Sequence, residues 1–183
     1  MLLQRDIELK SYIEYLNSLQ VPIAQYRNKL KTSDILDDLK TIKRYFNGKL
    51  IINDYIELIE FADGLHVGQE DLTAISSDFN IAIKSIRESI GDKRLLGLST
   101  HNLSEIEVAN SLDLDYIGLG AYRDTNTKDI KAIGGNKLLD IALKSTHKVA
   151  LIGGVKLSDE FDIYPQIYYK VIGSDLLKSY IEN

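Results

Sequence analysis

Short apolar runs alternate with helix-period segments along the whole chain, and this alternation restricts the sequence to a parallel-sheet fold. The runs are 21–26, 50–52, 64–67, 95–99, 115–119, 149–152 and 168–172. Each is short and bounded by polar or glycine-bearing turns, which reads as a strand. Between them the apolar spacing becomes helical. Residues 6–20 carry Ile7, Leu9, Tyr12, Ile13, Leu16 and Leu19. Residues 34–46 carry Ile35, Leu36, Leu39, Ile42 and Phe46 behind Thr32-Ser33-Asp34, a cap sequence. Further helices are expected over 55–61, 72–76, 80–90, 102–111, 136–146 and 175–181, and Ser158-Asp159 is expected to cap another short one. Strand, helix, strand implies right-handed parallel units. A doubly wound open sheet and a closed (β/α)8 barrel both satisfy the pattern. No Gly-x-Gly-x-x-Gly follows any strand, so the dinucleotide-binding form of the open sheet has little support. The expectation is a (β/α)8 TIM barrel, with its functional residues in the loops after the strands. The chain opens on a helix, so the first barrel strand is missing or not recognisable in the sequence.

Length and charge narrow the function classes. A chain of 183 residues is expected to form a single domain, 1–183, with a sizeable core. The formal net charge of -5 speaks against general binding to nucleic acid or anionic membranes, which needs a basic face. With no cysteine there is no disulfide, thiolate nucleophile or Cys-ligated zinc. The N-terminus MLLQRDIELK has no apolar core of a signal peptide, and no apolar run reaches the length of a membrane span. A soluble cytoplasmic protein is expected; a homo-oligomer remains open.

The strand ends carry the unusual residues. Asn53-Asp54 follows one run and Gly68-Gln69-Glu70-Asp71 the next. In a parallel unit both clusters fall at the carboxyl ends of neighbouring strands. Asp54 and Asp71 are therefore candidates to converge on one cation; two carboxylates with open positions suit Mg²⁺, which keeps waters and substrate phosphates in its shell. The alternative is that each aspartate only caps a helix. Gln69-Glu70 are expected to shape the turn. Gln25, Arg27 and Lys29 alternate, so in extended backbone they share a side and could bind an anion, with a solvated strand end as the alternative. In Ser99-Thr100-His101-Asn102 the reading gives Thr100 and Asn102 to helix capping and Ser99 to the site. The long polar loop 120–135 holds Thr125, Thr127 and Lys128, which suit phosphate or carboxylate. Gly153-Gly154 and Gly173-Ser174 end consecutive strands, where backbone N–H groups can approach an anion; Gly153-Gly154 could equally serve a tight turn. His66 reads as a core residue, His101 lies near the site edge, and His147 sits in a turn; no pair has metal-ligand spacing. Tyr168 and Tyr169 read as packing. No Ser-His-Asp set or general-base dyad is present. Cations, acids and amides are what moving a diphosphate requires, since positioning and charge neutralisation dominate there.

The ordered set Gln25-x-Arg27-x-Lys29, Asn53-Asp54, Asp63-Gly-Leu-His-Val-Gly-Gln-Glu-Asp71, Gly97-Leu-Ser99-x-His101, Asp115-Tyr-Ile-Gly-x-Gly120, Thr125-x-Thr127-Lys128 and Ile152-Gly-Gly154 resembles the thiamine-phosphate synthase family over residues 21–175. The resemblance implies a (β/α)8 barrel that joins an aminopyrimidine-methyl diphosphate to a thiazole phosphate, releasing diphosphate through a carbocation-like substitution. It implies Asp54 and Asp71 as Mg²⁺ ligands. It gives the diphosphate to Arg27, Lys29, Asn53 and Lys128, and the aminopyrimidine to Gln25 and Ser99. Thr125 and Thr127 fall on the thiazole side, with Gly154, Gly173 and Ser174 around its phosphate. Arg27, Lys29, Ser99 and Lys128 are the implied catalytic set. Four positions depart from the family pattern: Asn28 stands where Glu is usual, Arg123-Asp124 replaces an apolar-Pro pair, and Asp175 adds a negative charge beside the last phosphate loop. Two rival readings are a thiazole tautomerase, whose pattern has His where this chain has Ala121, and a non-catalytic barrel that binds thiamine precursors.

Overall fold

Seven parallel strands follow one another in chain order in a single sheet, with helices in the connections. The strands are β1 (Ile23–Tyr26), β2 (Lys49–Asn53), β3 (Gly64–Val67), β4 (Leu95–Thr100), β5 (Tyr116–Leu119), β6 (Lys148–Ile152) and β7 (Ile167–Val171). The helices are α1 (Leu9–Ser18), α2 (Ile35–Tyr45), α3 (Gln69–Ile75), α4 (Phe79–Ile90), α5 (Leu103–Ala109), α6 (Lys137–Ala142) and α7 (Ser174–Glu182). The structure, a computed structural model, describes residues 8–28, 34–123 and 134–182. All seven expected strands form. The α/β class with a parallel sheet therefore stands as expected, with seven strands among the described residues.

The chain clusters into two compact units. One comprises the residues up to His66 together with Arg87–Leu95. In it β1 pairs with β2 in the register Gln25 to Ile51, and β2 with β3 in the register Asn53 to His66. Leu50, Ile51 and Ile52 are all buried, so both faces of β2 are covered, as expected of a parallel strand. Tyr12, Ile13 and Leu16 of α1 and Leu39 and Ile42 of α2 are buried in the same unit, each set on one helical stripe. The other unit comprises Val67–Ile86 and the residues from Leu96 on. There Gly97 aligns with Tyr116 and Gly118 with Ala150, and the core is built from Leu96, Leu98, Ile106, Ile117, Leu119, Val149 and Leu151.

Two aspartates of the family-like motifs serve the sheet. The Asp63 carboxylate accepts the Leu50 N–H at 2.8 Å, and the Asp115 carboxylate accepts the Leu96 N–H at 2.7 Å. Each sits just before a strand and caps the N–H of the second residue of the neighbouring strand. Such N–H groups otherwise go unsatisfied where pairing begins.

The short helix expected over 55–61 forms as a 3-10 helix over Ile56–Phe61. Two local expectations are corrected. Ser158-Asp159 does not cap a helix; turns fill 157–166 instead. The Leu157 and Asp159 carbonyls that a helix would use are taken by Lys170 Nζ at 3.2 and 2.9 Å, and Pro165 has no N–H to continue a ladder. Thr100 is not the cap of α5. Its hydroxyl donates to the Gly118 carbonyl at 3.1 Å, while Asn102 caps by accepting the Glu105 N–H at 3.0 Å.

Gly64 tests the β3 packing. A Cβ there would lie 2.5 Å from the Leu95 carbonyl oxygen and 2.6 Å from Ile51 Cδ1. Backbone cannot move aside as a side chain can, so Gly64→Ala should cost about 1–3 kcal/mol, the usual cost of overpacking. The urea midpoint should fall with the slope unchanged; an unshifted midpoint would contradict this packing.

Candidate functional site

In the first unit the candidate residues gather where β1 and β2 end. Tyr26 turns towards α2, where its hydroxyl donates to Asp38 Oδ2 at 2.7 Å. Asn28 Nδ2 donates to the same hydroxyl oxygen at 3.3 Å, and the Tyr55 hydroxyl donates to the Asn28 carbonyl at 2.7 Å. The loop after β1 is thereby tied to α2 and to the residue that follows Asp54. Burial, then the hydrogen bond to Asp38, pushes the Tyr26 hydroxyl well above the ordinary tyrosine range, so it stays protonated and donating. Strand alternation then puts Gln25 on the face opposite Tyr26. Arg27 follows the strand. Its Nε is buried and has no hydrogen-bond partner among the described residues. An unsatisfied buried donor costs about 1–3 kcal/mol, more when charged, and an anion would satisfy it.

Asn53 ends β2 and is almost fully buried. Asp54 follows with φ +71°, a left-handed backbone that aspartate tolerates better than most residues. Its N–H donates to the His66 carbonyl at 3.1 Å and its carbonyl accepts the Ile56 N–H at 3.2 Å, so the backbone on both sides is pinned. The residue itself is exposed. His66 is buried in β3, as a core histidine should be.

In the second unit Asp71 lies in the first turn of α3, and its Oδ2 accepts the Gly68 N–H at 2.6 Å. Asp71 thus shapes this turn together with Glu70, whose carboxylate lies against Gly68; the second carboxylate oxygen of Asp71 remains for another partner. Gln69 reaches away, and its Nε2 donates to the Ser99 carbonyl at 2.7 Å. Ser99, half-buried near the end of β4, is thereby tied to the start of α3. His101 pairs with Glu105 at 2.9 Å within the α5 cap. The ring of His147 contacts the Ala109 carbonyl at 2.9 Å, a packing role.

After β6, Gly153 and Gly154 both take positive φ, 90° and 64°. A Cβ on Gly153 would lie 2.6 Å from Ala121 Cβ, so conformation and close approach both call for glycine there. Gly173-Ser174 opens α7. The neighbouring acid, Asp175, turns its Oδ2 onto the Leu157 N–H at 2.9 Å. Arg123 forms a bidentate pair with Asp159, the longer contact 3.0 Å, and its guanidinium also donates to the Gly154 carbonyl at 3.0 Å. That hydrogen bond to Arg123 holds the Asp159 carboxyl below the ordinary carboxylate range. Sequence reading missed this pair. Lys29, Thr125, Thr127 and Lys128 lie outside the described residues.

The donors suit a hard cation rather than zinc. Among the described residues no cluster of three His, Cys, Asp or Glu side chains forms a ready-made metal cage. An exposed carboxylate at Asp54 and a half-engaged one at Asp71 are the oxygen-only groups that Mg²⁺ uses when substrate phosphates complete its shell.

Parallel strands in chain order define an α/β protein, and their exits carry acids, a buried guanidinium nitrogen without a partner among the described residues, and a glycine turn. Comparison narrows the class. The family model "Thiamine monophosphate synthase" matches residues 4–163. "Thiamine-phosphate synthase 1" of Aquifex aeolicus is 32% identical over 159 residues, 82% of this chain and 69% of that protein. The thiamine-phosphate synthase of Persephonella marina is 32% identical over 163 residues, 85% of this chain and 74% of that protein. The solved thiamine phosphate pyrophosphorylase of Pyrococcus furiosus matches with a TM-score of 0.68 at 20% identity, covering 97% of this chain and 90% of that one. This last likeness speaks for the fold alone. The chain belongs to the thiamine monophosphate synthase family, and with it to the transferases of thiamine biosynthesis.

The Asp159 shift has a definite sign. Its folded pKa lies below the ordinary 3.8, so the pair with Arg123 contributes stability above that pH and loses it as pH falls through the folded value. Asp159→Asn should therefore be less stable than wild type at neutral pH, with the difference vanishing in strong acid. Thermal melts across pH 2–7 that stay parallel would contradict this.

Proposed function

We propose that the chain acts as a thiamine-phosphate synthase. It joins 4-amino-2-methyl-5-pyrimidinylmethyl diphosphate to 4-methyl-5-(2-phosphoethyl)thiazole and releases diphosphate. The observation that carries the reading is the buried, unpartnered Nε of Arg27 at the end of β1, in a family of thiamine-phosphate synthases. Arg27, Lys29, Asn53 and Lys128 grip the diphosphate, and Gln25 and Ser99 hold the aminopyrimidine. Asp54 and Asp71 hold Mg²⁺, which when bound neutralises charge on the leaving diphosphate. The C–O bond to the diphosphate breaks first, leaving a pyrimidinylmethyl cation. The thiazole nitrogen then donates its electron pair to that carbon, so no general base is required. Thr125 and Thr127 contact the thiazole, and Gly154, Gly173 and Ser174 bind its phosphate. Arg27, Lys29, Ser99 and Lys128 form the catalytic set. The sheet belongs to one domain that closes as a (β/α)8 barrel. Among the described residues no helix is long and apolar enough to cross a membrane, which agrees with a cytoplasmic enzyme working on small phosphorylated substrates.

The direct assay incubates the purified chain with both precursors and Mg²⁺. Thiamine phosphate should form; none from folded protein would overturn the reading. Asp71→Asn separates the two roles of Asp71. Its amide oxygen can still accept the Gly68 N–H, but the charge for the metal is gone. Turnover should fall by about a hundredfold or more, in line with losing one transition-state electrostatic group, with the melting temperature nearly unchanged. Full activity would remove Asp71 from the metal site.

A further inference from the structure

The Arg123–Asp159 pair joins two segments that are remote in sequence, and it meets the glycine turn after β6. The Arg123 N–H donates to the Gly153 carbonyl at 2.9 Å, and its guanidinium donates to the Gly154 carbonyl at 3.0 Å. Both carbonyls of the turn are thus drawn to one residue. Neither peptide bond is cis. In a planar trans peptide the N–H points opposite to its C=O. The N–H groups of Gly154 and Val155 therefore point away from the Arg123 groups that take those carbonyls. No hydrogen bond from either N–H to a described residue accompanies this arrangement. Two adjacent outward N–H groups in a positive-φ turn form an anion-binding concavity.

Arg123 does not supply charge to that concavity. Its guanidinium lies against the Tyr122 ring, 4.4 Å from the centroid, and is neutralised by the two-point contact with Asp159. Asp159 is fixed in turn by the Lys156 N–H at 2.8 Å, and its carbonyl by Lys170 at 2.9 Å. The base of the 120–135 loop is closed as well: Gly134 and Gly135 donate their N–H groups to the carbonyls of Ala121 and Tyr122, both at 3.0 Å. Arg123 therefore sits at the junction of the loop base and the glycine turn.

We propose that Arg123, set by Asp159, is a positioning residue for the phosphate of the thiazole substrate: it fixes the Gly153–Gly154 turn so that the N–H groups of Gly154 and Val155 face that phosphate. The proposal rests on the synthase reading above for the identity of the ligand. A lysine at 123 would keep the charge but lose the fork that binds Asp159 and the Gly154 carbonyl together.

Steady-state kinetics with each substrate varied in turn tests this. Arg123→Met should raise the KM for the thiazole phosphate about tenfold, the scale of one lost charge-assisted hydrogen bond. The kcat and the KM for the pyrimidine diphosphate should stay within about twofold, since neither depends on this turn. Arg123→Lys should fall between wild type and Arg123→Met. The lost pair with Asp159 should lower the melting temperature in either case; a purely structural role would move both KM values and kcat together, and that result overturns the proposal. So does an unchanged thiazole-phosphate KM in either folded variant. If Arg123→Met does not fold, Arg123→Lys alone decides by the same criterion. If wild type makes no thiamine phosphate, the synthase reading fails on its own account. Calorimetric titration of the thiazole phosphate onto wild type and Arg123→Lys then decides: weaker binding by the variant supports the proposal, and equal or absent binding overturns it.

Discussion

Parallel pairing of short buried strands is the constraint on which everything else depends. A parallel strand cannot be entered from its neighbour by a tight turn, so each connection passes through a helix or long loop. The carboxyl ends of paired strands are thereby brought together, and their loops are freed from the work of holding the sheet. In the first unit this places Arg27, Asn53 and Asp54 at adjacent strand exits. In the second it places Ser99, the base of the 120–135 loop and the Gly153–Gly154 turn on consecutive strands. The opposite strand ends are locked by Asp63 and Asp115, whose carboxylates take the N–H of the second residue of a neighbouring strand. Acids before the strands thus help hold the register.

The loops after the strands are fixed by side chains of their own. Asn28 joins Tyr26 and Tyr55, so Arg27 and Asp54 are each bracketed by residues in one hydrogen-bonded set. Gln69 joins α3 to the Ser99 carbonyl. Arg123 joins the loop base after β5 to the turn after β6. Groups held in this way lose little freedom when a polyanion binds, and a transition state dominated by charge separation rewards such preorganisation.

Much of this was legible in the sequence, for a physical reason. Strands β1 to β7 follow from apolar runs between turn residues, a local signal. Asn53-Asp54 and Gly153-Gly154 were found because their positions relative to a strand end are also local. What sequence reading missed is long-range or ambiguous. Asp159 lies 36 residues from Arg123, and the Ser-Asp pair looks like a helix cap, so its ion pair was invisible. Thr100 and Asn102 are equally plausible caps from sequence; only the structure shows that Thr100 bonds across to β5. Asp71 read as either a metal ligand or a cap, and the Gly68 bond shows that one of its oxygens already does the second job.

The central proposal is that strand-end cations and acids in this family member bind a magnesium diphosphate. Calorimetric titration of inorganic pyrophosphate onto the protein, with Mg²⁺ present and then with the metal chelated, tests it most directly. The account predicts saturable binding that weakens by at least about tenfold without metal. It also predicts that Arg27→Gln loses binding in both conditions. Equal affinity with and without Mg²⁺, or unchanged binding by Arg27→Gln, would contradict it.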